Sequence, residues 1–164
     1  MTDLGWLEER LGYKFEEPEL LRRALIHSSA KDTKGVSPED VAYSLRLSWL
    51  GDSVLDMVVS EKLCSLFPTA VKSNLHRWCV GLTNNKTLGR VASGLGLERG
   101  MAIGRAMRMN LHAEDRHKML AGTLEAVFGA VLLDGDVQKA RAVIRRVLEE
   151  DFARLLEHVE EQDS

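Results

Sequence analysis

A chain of 164 residues with 45% hydrophobic content is sized for a single domain with an ordinary buried core, and its 5% aromatic content and three prolines favour helices. The formal net charge is −3, but residues 149–164 carry seven acids against one base, a net of −6, which leaves residues 1–148 at +3. This balance excludes the strong global bias of a dedicated nucleic-acid binder while permitting a local phosphate-binding face, and the lack of any apolar run of about 18 residues excludes a membrane-spanning helix.

In chain order, the punctuation predicts helices joined by short loops. Asp3 is placed to cap a first helix running to about Gly12, with Trp6, Leu7 and Leu11 on one face. Pro18, at a first-turn position, opens a second helix through Leu20, Leu21, Ala24 and Leu25 that ends near His27, Ser28 and Ser29. After a polar loop over 31–36, Ser37, Pro38, Glu39 and Asp40 combine a cap, a first-turn proline and acids at the positive end of the helix dipole. The apolar pattern then runs to about Phe67, where Pro68 stops what reads as the central helix. Ser73 is the expected cap of the next helix, through Leu75, Trp78, Cys79 and Leu82. A bend at Asn84 and Asn85 leads to another through Leu88, Val91 and Ala92, ended by Gly94 and Gly96. Residues 97–113 read as irregular, with Met101, Met107 and Met109 filling a loosely packed edge or forming an adaptable partner surface. A strongly apolar helix follows from about Glu114 to Leu133, closed by Asp134 and Gly135, and a last amphipathic helix fills roughly 137–160. The result is an all-α domain over 1–150, with 151–164 as the end of the last helix and an acidic tail.

Cys64 and Cys79 sit inside apolar helical patterns with no CxxC and no Cys/His cluster, so buried, reduced thiols are expected rather than a disulfide or a zinc site. With them goes an intracellular setting, cytoplasm or organelle matrix. Asp3, Glu8 and Glu9 near the start are unlike the basic opening of a signal peptide.

Ordered motifs carry a resemblance. Leu7 to Phe15, Pro18 to Leu21, Ala24 to Ser29, Ser44 to Leu55, Phe67-Pro68, Leu82 to Leu88 and Leu124 to Gly135 together resemble the ribonuclease III family over roughly residues 5–148. The resemblance implies a helical, dimeric nuclease-like domain. No counterpart of the family's double-stranded-RNA-binding domain is expected.

Family members cut double-stranded RNA by divalent-metal hydrolysis, which needs carboxylates gathered from two facing helices around hard cations. The resemblance implies that the metal-binding acids fall at Ser48, Asp52, Gly122 and Glu125, and that two assisting acids fall at Leu45 and Lys72. Only Asp52 and Glu125 are acids here. Ser48 offers a neutral hydroxyl, Gly122 offers no side chain, Leu45 removes a charge and Lys72 inverts one. The expectation is therefore no catalytic residues, no resident metal and no cofactor, with Mg²⁺ or Mn²⁺ required only if the chain does cleave. Asp52 also has a structural reading, hydrogen-bonded to backbone or to Ser28, and Glu125 one as the partner of Arg46 or Lys72. His27, Ser28 and Ser29 read as hydrogen-bonding residues at a helix end rather than as base or nucleophiles, since no activating base stands beside them.

Partner surfaces are better kept. Trp49 occupies the place of the aromatic that in the family inserts into the other subunit, with an ordinary core tryptophan as the alternative. Lys72, His76, Arg77, Arg105, Arg108, Arg116 and Lys118 are candidate grips on structured or double-stranded RNA, held by shape through phosphates; a solvated charged face is the alternative for each. These features predict an inactive ribonuclease III-like protein acting by RNA binding or scaffolding in a ribonucleoprotein or RNA-processing assembly, such as an organellar ribosome. A noncatalytic heterodimer partner of an active relative, or an endonuclease with a reduced metal site, are the alternatives.

Overall fold

The computed structural model describes residues 3–109 and 111–164, and among these the regular elements are all helices, with one isolated β-bridge between Ile26 and Ala102. The α-helices are α1 (Gly5–Leu11), α2 (Pro18–Ala24), α3 (Pro38–Leu66), α4 (Lys72–Thr83), α5 (Asn85–Leu95), α6 (Arg105–Met109), α7 (Ala113–Asp134), α8 (Val137–Val147) and α9 (Glu149–Asp163). Short 3₁₀ turns occur at Ser28–Ala30 and Leu97–Arg99.

Local chemistry accounts for most boundaries. Ser37 and Asp40 form a reciprocal capping box at the start of α3, with the Asp40 N–H donating to Ser37 Oγ at 3.1 Å and the Ser37 N–H to Asp40 Oδ2 at 3.2 Å. Asp40 is buried and also takes Arg22 at 3.2 Å and Arg23 at 3.3 Å, which fastens α2 to α3. Asn84 caps α5, and Gly96, at φ 76°, ends it in the left-handed conformation that glycine adopts without strain. Asp134, at the end of α7, accepts from the Tyr13 hydroxyl at 2.7 Å and from the Glu16 and Glu17 N–H groups at 2.9 and 2.8 Å. It thereby ties the loop before α2 to the far end of the domain.

The helix at the centre is α7, not α3 as the sequence suggested. From Met119 to Val131 α7 is buried on nearly every side, with Leu120, Leu124, Val127 and Phe128 fully enclosed by α2, α3, α5 and α8. Each such side chain contributes about 1.5–3 kcal/mol by leaving water. The longer α3 keeps one face in solvent. The two helices cross in backbone contact at Gly51 and Gly129: a Cβ on Gly51 would overlap the Glu125 carbonyl oxygen, and one on Gly129 would overlap that of Leu47. No side chain larger than hydrogen is accommodated at this crossing.

Other expectations are corrected. Leu4 rather than Asp3 is the residue before α1, with Asp3 Oδ1 accepting the Gly5 N–H from one position further out. The second helix stops at Ala24, and His27 instead caps the 3₁₀ turn that follows. Helix α4 begins at Lys72, preceded by Val71, so Ser73 lies inside it and caps nothing. The stretch 97–113, of which residue 110 is outside the described set, contains α6. The last helix divides at Leu148, which lets Leu148 and Phe152 both enter the core while Glu149, Glu150 and Asp151 form a new acidic first turn. Cys64 is exposed and Cys79 half-buried, because both lie toward the edge of the α3–α4 pair rather than in the core; neither forms a disulfide.

Candidate functional site

Three- and four-residue spacing puts Leu45, Trp49, Asp52 and Asp56 on one face of α3. That face is the solvent side of the helix, where Leu45 is 59% and Trp49 75% exposed. On α7 the same spacing aligns Lys118, Gly122 and Glu125, and the glycine crossing brings Glu125 against the acid face of α3. Burial and the neighbouring Asp52 carboxylate push the Glu125 carboxyl up to about 8, so that in neutral solution it holds a proton and hydrogen-bonds to Asp52. Asp56 is raised in turn by burial and by Asp52.

The charges acting on Glu125 are thus the acids Asp52 and Asp56, not Arg46 or Lys72, and the pairing expected with those cations is corrected. Asp52 is exposed and acts on Glu125 rather than bonding to Ser28. Asp56 is a member of the group that sequence reasoning missed; its signal was the four-residue step from Asp52, one helical turn on. Although the three acids share charge, among the described residues no group of three or more His, Cys, Asp or Glu side chains is placed to hold a metal ion. The electrostatic grouping reaches further than ligand geometry does. Asp52, Asp56 and Glu125 are the carboxylates that act on one another where α3 crosses α7.

One turn earlier on both helices the two facing positions are neutral. A Cβ on Gly122 would meet only Ser48 Oγ, at 3.8 Å, so these two positions face one another across open space. They border a cavity of about 410 Å³ whose walls include Leu45, Met107 and Met119, with Asp115 and Lys118 from the first turns of α7. His27 stands on its far side, half-buried. Its Nδ1 is 2.8 Å from Ser29 Oγ and accepts the Ser29 N–H at 3.2 Å, and burial holds the imidazole neutral by lowering its pKa. Ser29 Oγ accepts the Gly104 N–H at 2.9 Å, while the His27 N–H donates to the Ala102 carbonyl at 2.9 Å. These bonds strap the segment before α6 to the segment after α2, as the hydrogen-bonding reading of His27 and Ser29 anticipated.

The candidate cations do not form one cluster. Lys72, His76 and Arg77 lie exposed on the first turns of α4, and Arg77 borders a second cavity with Asn74, Gln162 and Asp163 from the end of α9. Lys118 belongs to the cavity at Ser48 and Gly122. Arg105 is exposed on α6, Arg108 donates to the Met101 carbonyl at 3.4 Å, and Arg116 is paired with Glu98, its Nε 2.7 Å from the carboxylate. Of the three methionines, Met101 is buried, Met107 borders the cavity and Met109 is 72% exposed. Among the described residues no helix is long and apolar enough to cross a membrane.

Comparison with known proteins identifies this arrangement. The nuclease domain of ribonuclease III from Campylobacter jejuni superposes with a TM-score of 0.78 at 31% identity, covering 93% of this chain and 97% of that one. A dicer structure from Pichia stipitis shares the fold at a TM-score of 0.60 and 18% identity, over 85% of this chain and 57% of that one. A helical domain in which an acid-bearing surface helix crosses a buried central helix is thereby of the class of ribonuclease nuclease domains. Residues 17–151 match the family described as Ribonuclease-III-like, and the chain belongs to that family. Ribonuclease 3 of Bdellovibrio bacteriovorus is 36% identical over 141 residues, 85% of this chain and 58% of that protein. Ribonuclease 3 of Magnetococcus marinus is 34% identical over 154 residues, 93% of this chain and 62% of that protein. The chain spans about three fifths of the length of these curated relatives.

Proposed function

We propose that this chain is a non-cleaving ribonuclease III-like domain that works by binding structured RNA, as a scaffold within a ribonucleoprotein or RNA-processing assembly. The observation that carries the reading is the confrontation of Ser48 with Gly122, where neither of the two facing positions supplies a carboxylate. Two-metal hydrolysis requires anionic oxygens on both sides of the cations. The donor set here, Asp52 and Glu125 on one turn with a hydroxyl and a bare glycine on the next, does not fit such a centre. No step of the proposed mechanism passes through a metal.

Binding is then a matter of charge and shape. Lys72, His76 and Arg77 are exposed on consecutive turns at the start of α4, the positive end of that helix's dipole, and suit phosphate oxygens. Lys118 supplies a second contact at the cavity, and exposed Arg105 on α6 a further one. Trp49 and Leu45, two large apolar side chains one turn apart and mostly in solvent, suit a protein partner. A further Campylobacter jejuni structure, at a TM-score of 0.79 and 30% identity, is described for flexibility in the region involved in dimer formation of its nuclease domain. This chain is accordingly read as pairing through α3, with a second copy or with a related subunit.

The test is a mobility-shift titration of duplex RNA at several salt concentrations with Mg²⁺ or Mn²⁺ present. A salt-sensitive shift with the RNA intact supports the reading. Staggered products that vanish in Asp52→Asn make the chain an endonuclease with a reduced site instead.

A further inference from the structure

The cavity at Ser48 and Gly122 has donors and walls that phosphate binding on α4 does not use, and its chemistry is that of a base pocket. Its volume of about 410 Å³ falls in the range of small-molecule sites, about 300–1,000 Å³. Leu45, Met107 and Met119 give it apolar, adaptable walls. Two of its hydroxyls are already committed, Ser44 donating to the Ile26 carbonyl at 2.7 Å and Thr123 to the Met119 carbonyl at 3.0 Å. The remaining polar groups point to a ligand of mixed donor and acceptor character. Neutral His27, with Nδ1 accepting the Ser29 N–H, carries its ring proton on Nε2 as a donor. Ser28 and Ser48 add hydroxyls. Asp115 and Lys118 stand three residues apart on α7, an acceptor carboxylate beside a donor ammonium.

We infer that this cavity receives a guanine base. Guanine alone among the RNA bases presents two adjacent N–H donors, at N1 and N2, that one carboxylate accepts together, next to the acceptors O6 and N7 that suit an ammonium. Single-stranded bases are read on these edges between apolar faces when they leave the stack. Adenine lacks the paired donors, and a pyrimidine leaves more of the space unfilled. The inference rests on the non-cleaving reading, because carboxylates at positions 48 and 122 with their cations would occupy the same space.

Saturation-transfer NMR on the full chain with GMP, AMP, CMP and UMP tests the pocket. GMP is expected to bind saturably and at least tenfold more tightly than the other three. Gly122→Leu fills the cavity from a position where a Cβ meets only Ser48 Oγ, and is expected to abolish GMP binding while a fully paired duplex still shifts. Asp115→Asn, at an exposed position, is expected to erase the preference for GMP, and keeps the idea falsifiable should the leucine variant fold poorly. A duplex carrying one bulged guanosine separates the two sources of the base. Tighter binding than the paired duplex, lost in Gly122→Leu, assigns the pocket to RNA, and equal binding of the two duplexes assigns it to the free nucleotide. Absence of saturable binding by all four nucleotides, or GMP binding untouched by Gly122→Leu, overturns the inference. Loss of the paired-duplex shift in the parent overturns the RNA-binding reading separately.

Discussion

Ser48 on α3 and Gly122 on α7 face one another, with 3.8 Å between the Ser48 hydroxyl oxygen and the place a Cβ on Gly122 would take. The fold therefore has room for side chains at both positions. Ser48→Glu with Gly122→Asp is expected to restore two missing ligands beside Asp52 and Glu125 and to create Mn²⁺ binding. At a free Mn²⁺ concentration a hundred times the dissociation constant, the gain is about 2.7 kcal/mol. Melting curves with and without Mn²⁺ check it, at about 2–4 °C per kcal/mol. Equal Mn²⁺ stabilisation of the parent and the double variant would show that these two positions were never the deficit.

Glu125 carries a second, pH-dependent signature. Its carboxyl is raised from 4.5 to about 8 by burial and by Asp52, so between those values the folded protein holds a proton that the unfolded chain has released. Stability accordingly falls as pH rises through the window: the penalty is absent below about 4.5 and complete above about 8. Glu125→Gln removes the titration. The variant is expected to match the parent in acid and to exceed it above pH 8 by about 1–3 kcal/mol, a figure reduced for solvent screening of a partly exposed group. Stability curves that run parallel from acid to alkali would contradict the coupling.

The backbone contact at Gly51 leaves no space for a methyl group. Gly51→Ala must part α3 from α7 or distort one of them, a cost of roughly 3 kcal/mol or more for overpacking, despite alanine's better helix propensity. Gly81, with nothing within 4 Å of its Cβ position, is the control, and Gly81→Ala is expected to be neutral or stabilising. Denaturant midpoints of the two variants should move in opposite directions or differ sharply.

Trp49 is the test of pairing. Trp49 is 75% exposed in the single chain, and truncating a tryptophan at the centre of an interface costs about 2 kcal/mol or more, a loss that a two-fold interface takes twice. Trp49→Ala should weaken self-association by on the order of a thousandfold, a factor set by about 4 kcal/mol. Light scattering across a dilution series measures it; unchanged mass in the variant would move the interface elsewhere.

Much of this architecture was legible because its determinants are local. The Ser37–Asp40 box and the Pro68 stop are each decided by residues within one helical turn, and the structure keeps both; the bend read at Asn84 and Asn85 is where Asn84 caps α5. What escaped depends on contacts distant in sequence. The break at Leu148 serves burial of two side chains, α6 is held by the Ser29–Gly104 strap, and the central role of α7 follows from four helices packing around it. Two misses had a signal in the residues themselves: the four-residue step from Asp52 to Asp56, and the near-absence of polar residues on α7 after Lys118. Ser48, Gly122 and Leu45 border one cavity, which gathers three of the four substitutions read in the sequence and leaves Lys72 apart on α4, while the scatter of Arg77, Lys118 and the ion-paired Arg116 shows that basic residues alone do not outline a groove.

The central claim is that this domain holds RNA without cutting it, and a single-turnover assay addresses it most directly. End-labelled duplex RNA is incubated with excess protein and Mn²⁺, and the same samples are resolved on native and denaturing gels. The account predicts a retarded complex on the native gel and full-length strands on the denaturing one. Shortened strands with staggered ends, absent when Asp52 is replaced by Asn, would contradict it.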